Sequence, residues 1–446
     1  MAKYTTESIR TVALVGHTGS GKTTLAEALL ARAGAIPAAG SVEKGNTVCD
    51  FDPLEKEYRH SLNSAIVNFA WKGTHIHLID TPGSPDFMGL AIGALAAVET
   101  AVVVINAETG VQLATDRMLK WAAKRNLCRM IVINRIDAEN ADLPAMLAKI
   151  QQAVGKECLP INLPAKGGTD VVDCFFTPEG ESDFSSVKEA HSALVDQVVE
   201  VDEKLMEKYL EQGEIAPEEL HEPFERALRE GHLIPVCFTS ARNGAGVEAL
   251  LDVFAKLAPN ATEGNAPPFL KGEGAEAQEF FAVPGAKAHV LAHVFKVVID
   301  PFVGKVGIFR VHQGTMTPNS QLFIGSGKRP FKAGHLFTIQ GKDYVETDSL
   351  VPGDIGAVTK VEEIEFDCVL HDSHDEDHIH LRPLEFPVPM HGIAVETKKK
   401  GDEQRLFTAP HSSYTTPRYA RARCHRRTSA PSPANGTPDP FPVWEL

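Results

Sequence analysis

The chain lacks any uncharged apolar run of about 18 residues, so no membrane-spanning helix and no membrane partner are expected. Its first residues, Met1-Ala2-Lys3-Tyr4-Thr5-Thr6-Glu7-Ser8, hold no apolar core of the signal-peptide kind, and secretion is not expected. Cysteine is sparse: seven residues, at 49, 128, 158, 174, 237, 368 and 424, with no C-x-x-C pair. That argues against a disulfide framework or a Cys-based zinc site and suits a reducing cytoplasm. An excess of positive charge is also missing. Lys and Arg number 44 against 59 Asp and Glu, a net charge of −15. Loose binding to nucleic acid depends on many phosphate-neutralising side chains. DNA is therefore not an expected partner, while docking through a few local contacts stays open. No internal repeat is present. At roughly 150 residues per domain, 446 residues give about three domains.

What is present is an alternation of strand and helix patterns over the first 260 residues. The apolar runs 11–15, 76–79, 101–105, 130–133 and 234–238 suit strands buried on both faces, as in a parallel sheet covered by helices. The expected class is α/β, doubly wound and mostly parallel. Residues 1–262 form this first domain, interrupted at about 155–233 by weaker patterns read as an inserted subdomain. The Pro/Gly-rich stretch 263–288 reads as a linker. From His289 the pattern changes to short strands between Gly and Pro turns, which gives a small β-barrel domain over 289–383. Residues 384–409 begin an incomplete third domain. Residues 410–446 hold seven of the 29 prolines and five arginines but no Lys and no Ile, and are expected to be disordered.

Gly16-His17-Thr18-Gly19-Ser20-Gly21-Lys22-Thr23, followed by Thr24, fits G-x-x-x-x-G-K-[ST] between a strand and a helix. Glycines let successive backbone N–H groups curl round phosphate oxygens, and the helix adds the positive end of its dipole. Lys22 would reach the β/γ-phosphates and Thr23 would ligate Mg²⁺. Asp80-Thr81-Pro82-Gly83 follows the second run. There Asp80 would hold Mg²⁺ through water, and the Gly83 N–H would sense the γ-phosphate. Asn134-Arg135-Ile136-Asp137 resembles the GTPase N-K-x-D element. Asp137 would accept two hydrogen bonds that guanine offers and adenine does not. Asn134 would brace the base and the phosphate loop, and Arg135 would lay its stem over the base. Ser240-Ala241-Arg242 follows the last run, with the Ala241 N–H placed to meet guanine O6. The implied ligands are GTP or GDP with Mg²⁺.

In this order the four elements resemble translation elongation factor G, and more closely its diverged elongation factor G-like paralogues. Asp86-Phe87 after the D-T-P-G run, the stretch Asp300-Pro301-Phe302-Val303-Gly304-Lys305 and Phe309-Arg310-Val311 extend the likeness over about residues 8–409. The resemblance implies a monomeric, cytoplasmic GTPase with the ribosome as partner. Catalysis is then expected at Lys22, Gly83 and position 84. Four departures stand out. Gly19 replaces the Asp of the family's usual phosphate loop. Tyr58-Arg59-His60-Ser61-Leu62 replaces R-G-I-T-I, which puts Ser61 where the Mg²⁺-binding Thr belongs. Ser84 replaces the His that in the family positions the attacking water, so slow hydrolysis is expected. The likeness stops at Ala409, before the family's later domains, so translocation is not expected. Two other readings share the same elements: a GTP-binding switch or scaffold with little hydrolysis, and a ribosomal-protection or release-type GTPase.

The cluster of His and acidic residues over 371–380 is read as a solvated loop rather than a metal site. The tail arginines 418, 421, 423, 426 and 427 are read as part of a foreign, non-native tail rather than an RNA-binding arm.

Overall fold

The apolar runs become strands. In the computed structural model these are β1 (Ile9–Val15), β2 (Ala65–Trp71), β3 (Thr74–Asp80), β4 (Thr100–Asn106), β5 (Cys128–Asn134), β6 (Cys158–Pro160), the hairpin β7 (Asn162–Ala165) and β8 (Asp170–Asp173), and β9 (Ile234–Thr239). The structure describes residues 4–387, except 214, 217, 218 and 301, together with 394–396 and 443–445. The main sheet runs β2-β3-β1-β4-β5-β9-β6. β2 pairs antiparallel with β3, and the other neighbours are parallel. Every residue of β1, β4 and β9 is buried, which is why these strands read as unbroken apolar runs. The doubly wound α/β class is thus the observed one.

The helices are α1 (Lys22–Arg32), α2 (Pro53–Tyr58), α3 (Met88–Leu95), α4 (Leu113–Lys124), α5 (Leu143–Ala153), α6 (Val187–Val199), α7 (Glu203–Gln212), α8 (His221–Glu230) and α9 (Val247–Lys256). Side chains cap α5, α6 and α7 at Asp142, Ser186 and Asp202. α1 has no such cap and starts at Gly21 with φ +87°. Its first N–H groups are therefore left for a ligand. The segment 155–233 holds the β7–β8 hairpin and α6 to α8, but β6 within it joins the edge of the main sheet.

The stretch 263–288, expected as a linker, is structured. β10 (Phe269–Lys271) and β11 (Gln278–Phe280) pair with each other. β10 also pairs with β20 (Ile379–Leu381). Phe269 is fully buried, with its ring edge-on to His312. Between β11 and β20 lie β12 (Leu291–Asp300), β13 (Gly304–Gln313), β14 (Gln321–Ile324), β15 (Phe331–Lys332), β16 (Leu336–Gln340), β17 (Asp343–Thr347), β18 (Ile355–Thr359) and β19 (Val369–His371). They form one antiparallel half-barrel sheet in the order β15-β14-β19-β12-β13-β18-β16-β17. The segment read as a solvated loop, 371–380, instead contains the end of β19 and the start of β20, and His371 within it is fully buried. Most of 388–446, including the expected disordered tail apart from 443–445, lies outside the described residues. Of it, Ala394–Glu396 pairs in parallel with Val443–Glu445.

One apolar core crosses from the main sheet into the barrel, taking in Leu291, Phe295, Val306, Ile308, Ile339 and Ile355. At its polar centre Arg310 is 1% exposed. Arg310 donates to Glu99 Oε1 and Thr11 Oγ1, each at 2.5 Å, and to the Gly353 carbonyl. At the edge of the main sheet the Gly341 N–H donates to Ile66 O at 2.9 Å, and Asn68 Nδ2 donates to Ile339 O at 2.9 Å. The barrel thereby covers the open edge of β2, which would otherwise present unpaired backbone groups. Arg310→Ala would leave the mostly covered Glu99 without its cation, and is expected to cost up to about 3–5 kcal/mol of folding stability. Denaturant unfolding measures this; a loss within error of zero would show that the ion pair does not hold the domains together.

Candidate nucleotide site

Parallel strands place their C-terminal ends on one side of a sheet, and open α/β sheets bind ligands there. The loops after β1, β3, β5 and β9 carry the four predicted elements, and the structure gathers them. Asn134, 1% exposed, ties three of them together. Its Nδ2 donates to Ser20 O at 3.1 Å in the phosphate loop. Its Oδ1 accepts from Arg135 N at 2.9 Å and Ala241 N at 3.1 Å. A Cβ at Gly21 would lie 2.4 Å from Asn134 Nδ2, so only glycine fits there. The fourth element packs on the first. Thr81 Oγ1 donates to Leu14 O at 2.7 Å, and a Cβ at Gly83 would lie 2.5 Å from Thr18 N. Pro82 is buried beside it.

Lys22 folds back over its own loop and donates to Gly16 O at 3.0 Å and His17 O at 2.9 Å. Thr23 Oγ1 donates to Asp80 Oδ2 at 2.7 Å and lies 3.1 Å from Ser61 Oγ. The three predicted metal-binding residues therefore meet. Thr18, Gly19 and Thr24 are exposed at the rim, and the Ser20 hydroxyl is buried without a partner. His17 stands between Thr115 and Thr109, with each ring nitrogen 3.2 Å from a threonine Oγ1. Burial, with help from Lys22 and Arg135, lowers its pKa to about 4, so it is a neutral brace to Thr109 in the loop before α4 and to Thr115 in the first turn of α4. Asp137 is half-buried, while Arg135 and Arg242 are exposed. Arg135 lies 3.5 Å from Glu108. The Ala241 N–H, expected to face guanine O6, here faces Asn134, and Ser240 is fully buried in its own turn. Ser84 Oγ turns to Asp86 Oδ2 at 3.3 Å within the turn after Gly83.

The elongation factor Tu GTP binding domain family matches residues 7–260, more than half of the chain. The chain belongs to that family. Elongation factor G domain 2 matches residues 289–366, the half-barrel. The chain is 32% identical over 428 residues to an elongation factor G-like protein of Mycobacterium tuberculosis, covering 89% of this chain and 59% of that protein. To the elongation factor G of Thermotoga maritima it is 27% identical over 422 residues, covering 90% of this chain and 60% of that protein. A crystal structure of a protein from Thermus thermophilus superposes with a TM-score of 0.76 at 32% identity, over 91% of this chain and 60% of that one. The chain thus spans about three fifths of the length of the curated relatives it matches.

In this GTP-binding domain, the spacing of motifs missed a group of buried carboxylates that shape residues 40–63. Glu27 accepts from the N–H groups of Gly40, Val48 and Cys49 at 2.9, 2.7 and 3.3 Å. Glu55 accepts from Leu62 N at 3.0 Å and Asn63 N at 2.9 Å, which delivers Ser61 to Thr23. The one legible signal was Asp52-Pro53-Leu54-Glu55, a capping box that starts α2. Asp50 is 3% exposed, and its Oδ2 has no partner. Asp80 Oδ1 is likewise buried without one. Two unpaired carboxylate oxygens beside two hydroxyls make an all-oxygen donor set, which suits Mg²⁺.

Burial pushes the Asp80 carboxyl well above the usual carboxylate range and Asp50 adds to the push, while the Thr23 hydrogen bond and Lys22 pull it back. A carboxyl raised in the folded state contributes stability that is present at low pH and lost as pH rises through its folded value. Without a divalent cation the protein should lose stability through Asp80 as pH climbs above the ordinary carboxylate range. Asp80→Asn is expected to flatten that slope and raise the melting temperature of the metal-free protein at about pH 8, since it removes a poorly compensated buried charge. The same variant should lose stabilisation by Mg²⁺. Thermal unfolding from acid to mildly alkaline pH, with and without Mg²⁺, checks both; a variant less stable than wild type in metal-free buffer would refute the account.

Proposed function

We propose that the chain is a cytoplasmic, Mg²⁺-dependent GTP-binding translation factor of the elongation factor G class that works on the ribosome. The observation carrying this reading is the meeting of Thr23, Ser61 and Asp80 beside Lys22, on a loop that Asn134 ties to the Asp137 and Ala241 elements. Backbone N–H groups of residues 18–23 and the uncapped start of α1 would hold the phosphates. Lys22 would leave the Gly16 and His17 carbonyls for the β/γ-phosphates, which gives the buried ammonium a stronger partner. Mg²⁺ would be held by the Thr23 and Ser61 hydroxyls, with Asp80 and Asp50 at its edge, and would neutralise charge developing on the phosphoryl group. Asp137 would accept from guanine N1–H and the exocyclic amine.

Asp137→Asn exchanges an acceptor for a group that also donates. The variant is expected to lose GTP affinity and gain affinity for xanthine nucleotides. A binding titration that finds GTP affinity unchanged would remove Asp137 from the site.

Hydrolysis is proposed to be slow. Ser84 is short and its hydroxyl is taken by Asp86, so it does not reach a water on the γ-phosphate. This same contact favours the second reading, a GTP-binding switch with little turnover. Ser84→His is expected to raise ribosome-stimulated turnover, with about 10²–10⁴-fold as the range such groups contribute. Turnover by the wild-type chain equal to that of a His-bearing relative would show that the position does not limit the rate.

A further inference from the structure

β3 carries His75 and His77 two residues apart, so both side chains leave the same face of the sheet. Their register partners on β1 are Ile9 and Thr11. That face meets the barrel turn Val351-Pro352-Gly353-Asp354. A Cβ at Gly353 would lie 3.4 Å from Ile9 Cβ, and Thr11 Oγ1 donates to Gly353 O at 3.1 Å. The turn aims Asp354 at the histidines. Its Oδ2 accepts from Val351 N at 2.9 Å, which fixes the carboxylate, and its Oδ1 lies 3.1 Å from His77 Nε2. One ligating atom from each of His75, His77 and Asp354 lies within 4.8 Å of the others, and no other His, Cys, Asp or Glu trio does so among the described residues. The three are 9%, 1% and 8% exposed, and the Tyr4 ring stacks on His75 at 4.5 Å.

An ordinary hydrogen bond does not fully answer this arrangement. His77 Nε2 faces the Asp354 carboxylate at 3.1 Å and the Ile355 N–H at 3.4 Å. A proton on Nε2 suits the first and opposes the second, and a lone pair does the reverse. A cation between Nε2 and Oδ1 uses the lone pair and the carboxylate together and leaves only the longer amide contact unmet. The donor chemistry selects the ion. Two imidazoles and one carboxylate suit zinc and its first-row neighbours, whereas Mg²⁺ and Ca²⁺ prefer oxygen alone. Arg310, which lies in the same interface, has its charge taken by Glu99.

We propose that His75, His77 and Asp354 bind a divalent first-row transition cation, with Zn²⁺ preferred, and that this ion pins the barrel turn to β3. Three protein ligands leave a fourth position for solvent. The Val351 N–H on Asp354 is the kind of outer contact that orients a metal ligand. Nothing in this inference depends on the nucleotide reading, and the two sites would sort cations by donor type.

The test uses the full chain, stripped of metal by chelation and held in excess Mg²⁺ so that oxygen-donor sites are filled. Titration with Co²⁺ should produce visible absorption saturating at one tight equivalent, and Zn²⁺ should displace it. His75→Gln and His77→Gln should each weaken binding by at least about 10–100-fold, because losing a ligand costs no less than losing its outer support. His75→Gln keeps the His77–Asp354 contact and so protects folding, which circular dichroism verifies. Zn²⁺ should raise the melting temperature of wild type and not of His75→Gln. A triple variant at the exposed His374, His378 and His380 should bind as wild type does. The proposal is overturned if the folded wild-type chain takes up no tight equivalent, if His75→Gln binds as well as wild type, or if the triple variant is the one that loses the site.

Discussion

The proposed nucleotide site depends on a single buried amide. Asn134 projects from the end of β5, donates to Ser20 O and accepts from Arg135 N and Ala241 N. Three loops from three strands are fixed to each other through the polar atoms of one side chain and its neighbours. Such a tie is strong because the groups are buried, where an unmet partner costs about 1–3 kcal/mol. It also explains a constraint read only as a motif. Gly21 has to be glycine because the Asn134 amide occupies the space a Cβ would take. The phosphate loop is therefore shaped by its neighbour across the sheet as much as by its own glycines.

A second set of contacts joins this centre to the barrel. Glu55 orders Leu62 and Asn63, and Lys296 on β12 donates to the Ser64 carbonyl. β2 follows at once and has its edge covered by Ile339, Gln340 and Gly341. From Thr23 through Ser61 and Ser64 to the barrel there is an unbroken path of hydrogen bonds and covalent chain. On the proposed function, whatever orders Ser61 acts directly on a segment that the barrel grips. Lys296 is half-buried along this path, and desolvation lowers its pKa to about 8. Its contact with Ser64 thus joins two domains.

Much of this was legible in the sequence, and the part that was not has a common physical cause. The apolar runs became β1, β3, β4, β5 and β9 because strands buried on both faces leave an unbroken signature. Ser61 was placed by analogy of position, and the structure sets it 3.1 Å from Thr23. What escaped was non-local. β10 sits in a Pro/Gly-rich stretch and becomes a strand by pairing with β11 and, far along the chain, with β20, where Phe269 faces Leu381. Glu27 lies on α1, and its partners are backbone N–H groups of residues 40, 48 and 49. His75 and His77 alternate as strand residues do, but the residue that gives them meaning is Asp354 in another domain. Period and spacing report local order and are silent about partners far along the chain.

The departures from the family pattern divide in a way the backbone explains. Two of the changed positions are Gly19, in the phosphate loop, and Ser84, where the family's water-positioning His would be. They are not equivalent. Ser84 has extended backbone at the start of a short turn, a conformation any residue adopts, and a longer side chain there meets no backbone penalty. Gly19 has φ +83° and nothing within 4 Å of where a Cβ would sit. Space is available for the Asp of the family's usual loop, but the left-handed conformation costs a non-glycine residue about 1–3 kcal/mol. An Asp restored there would bear that cost in place, because Asn134 holds the loop at Ser20, the very next residue. The chain is therefore committed at position 19 through its backbone and at position 84 only through a side chain.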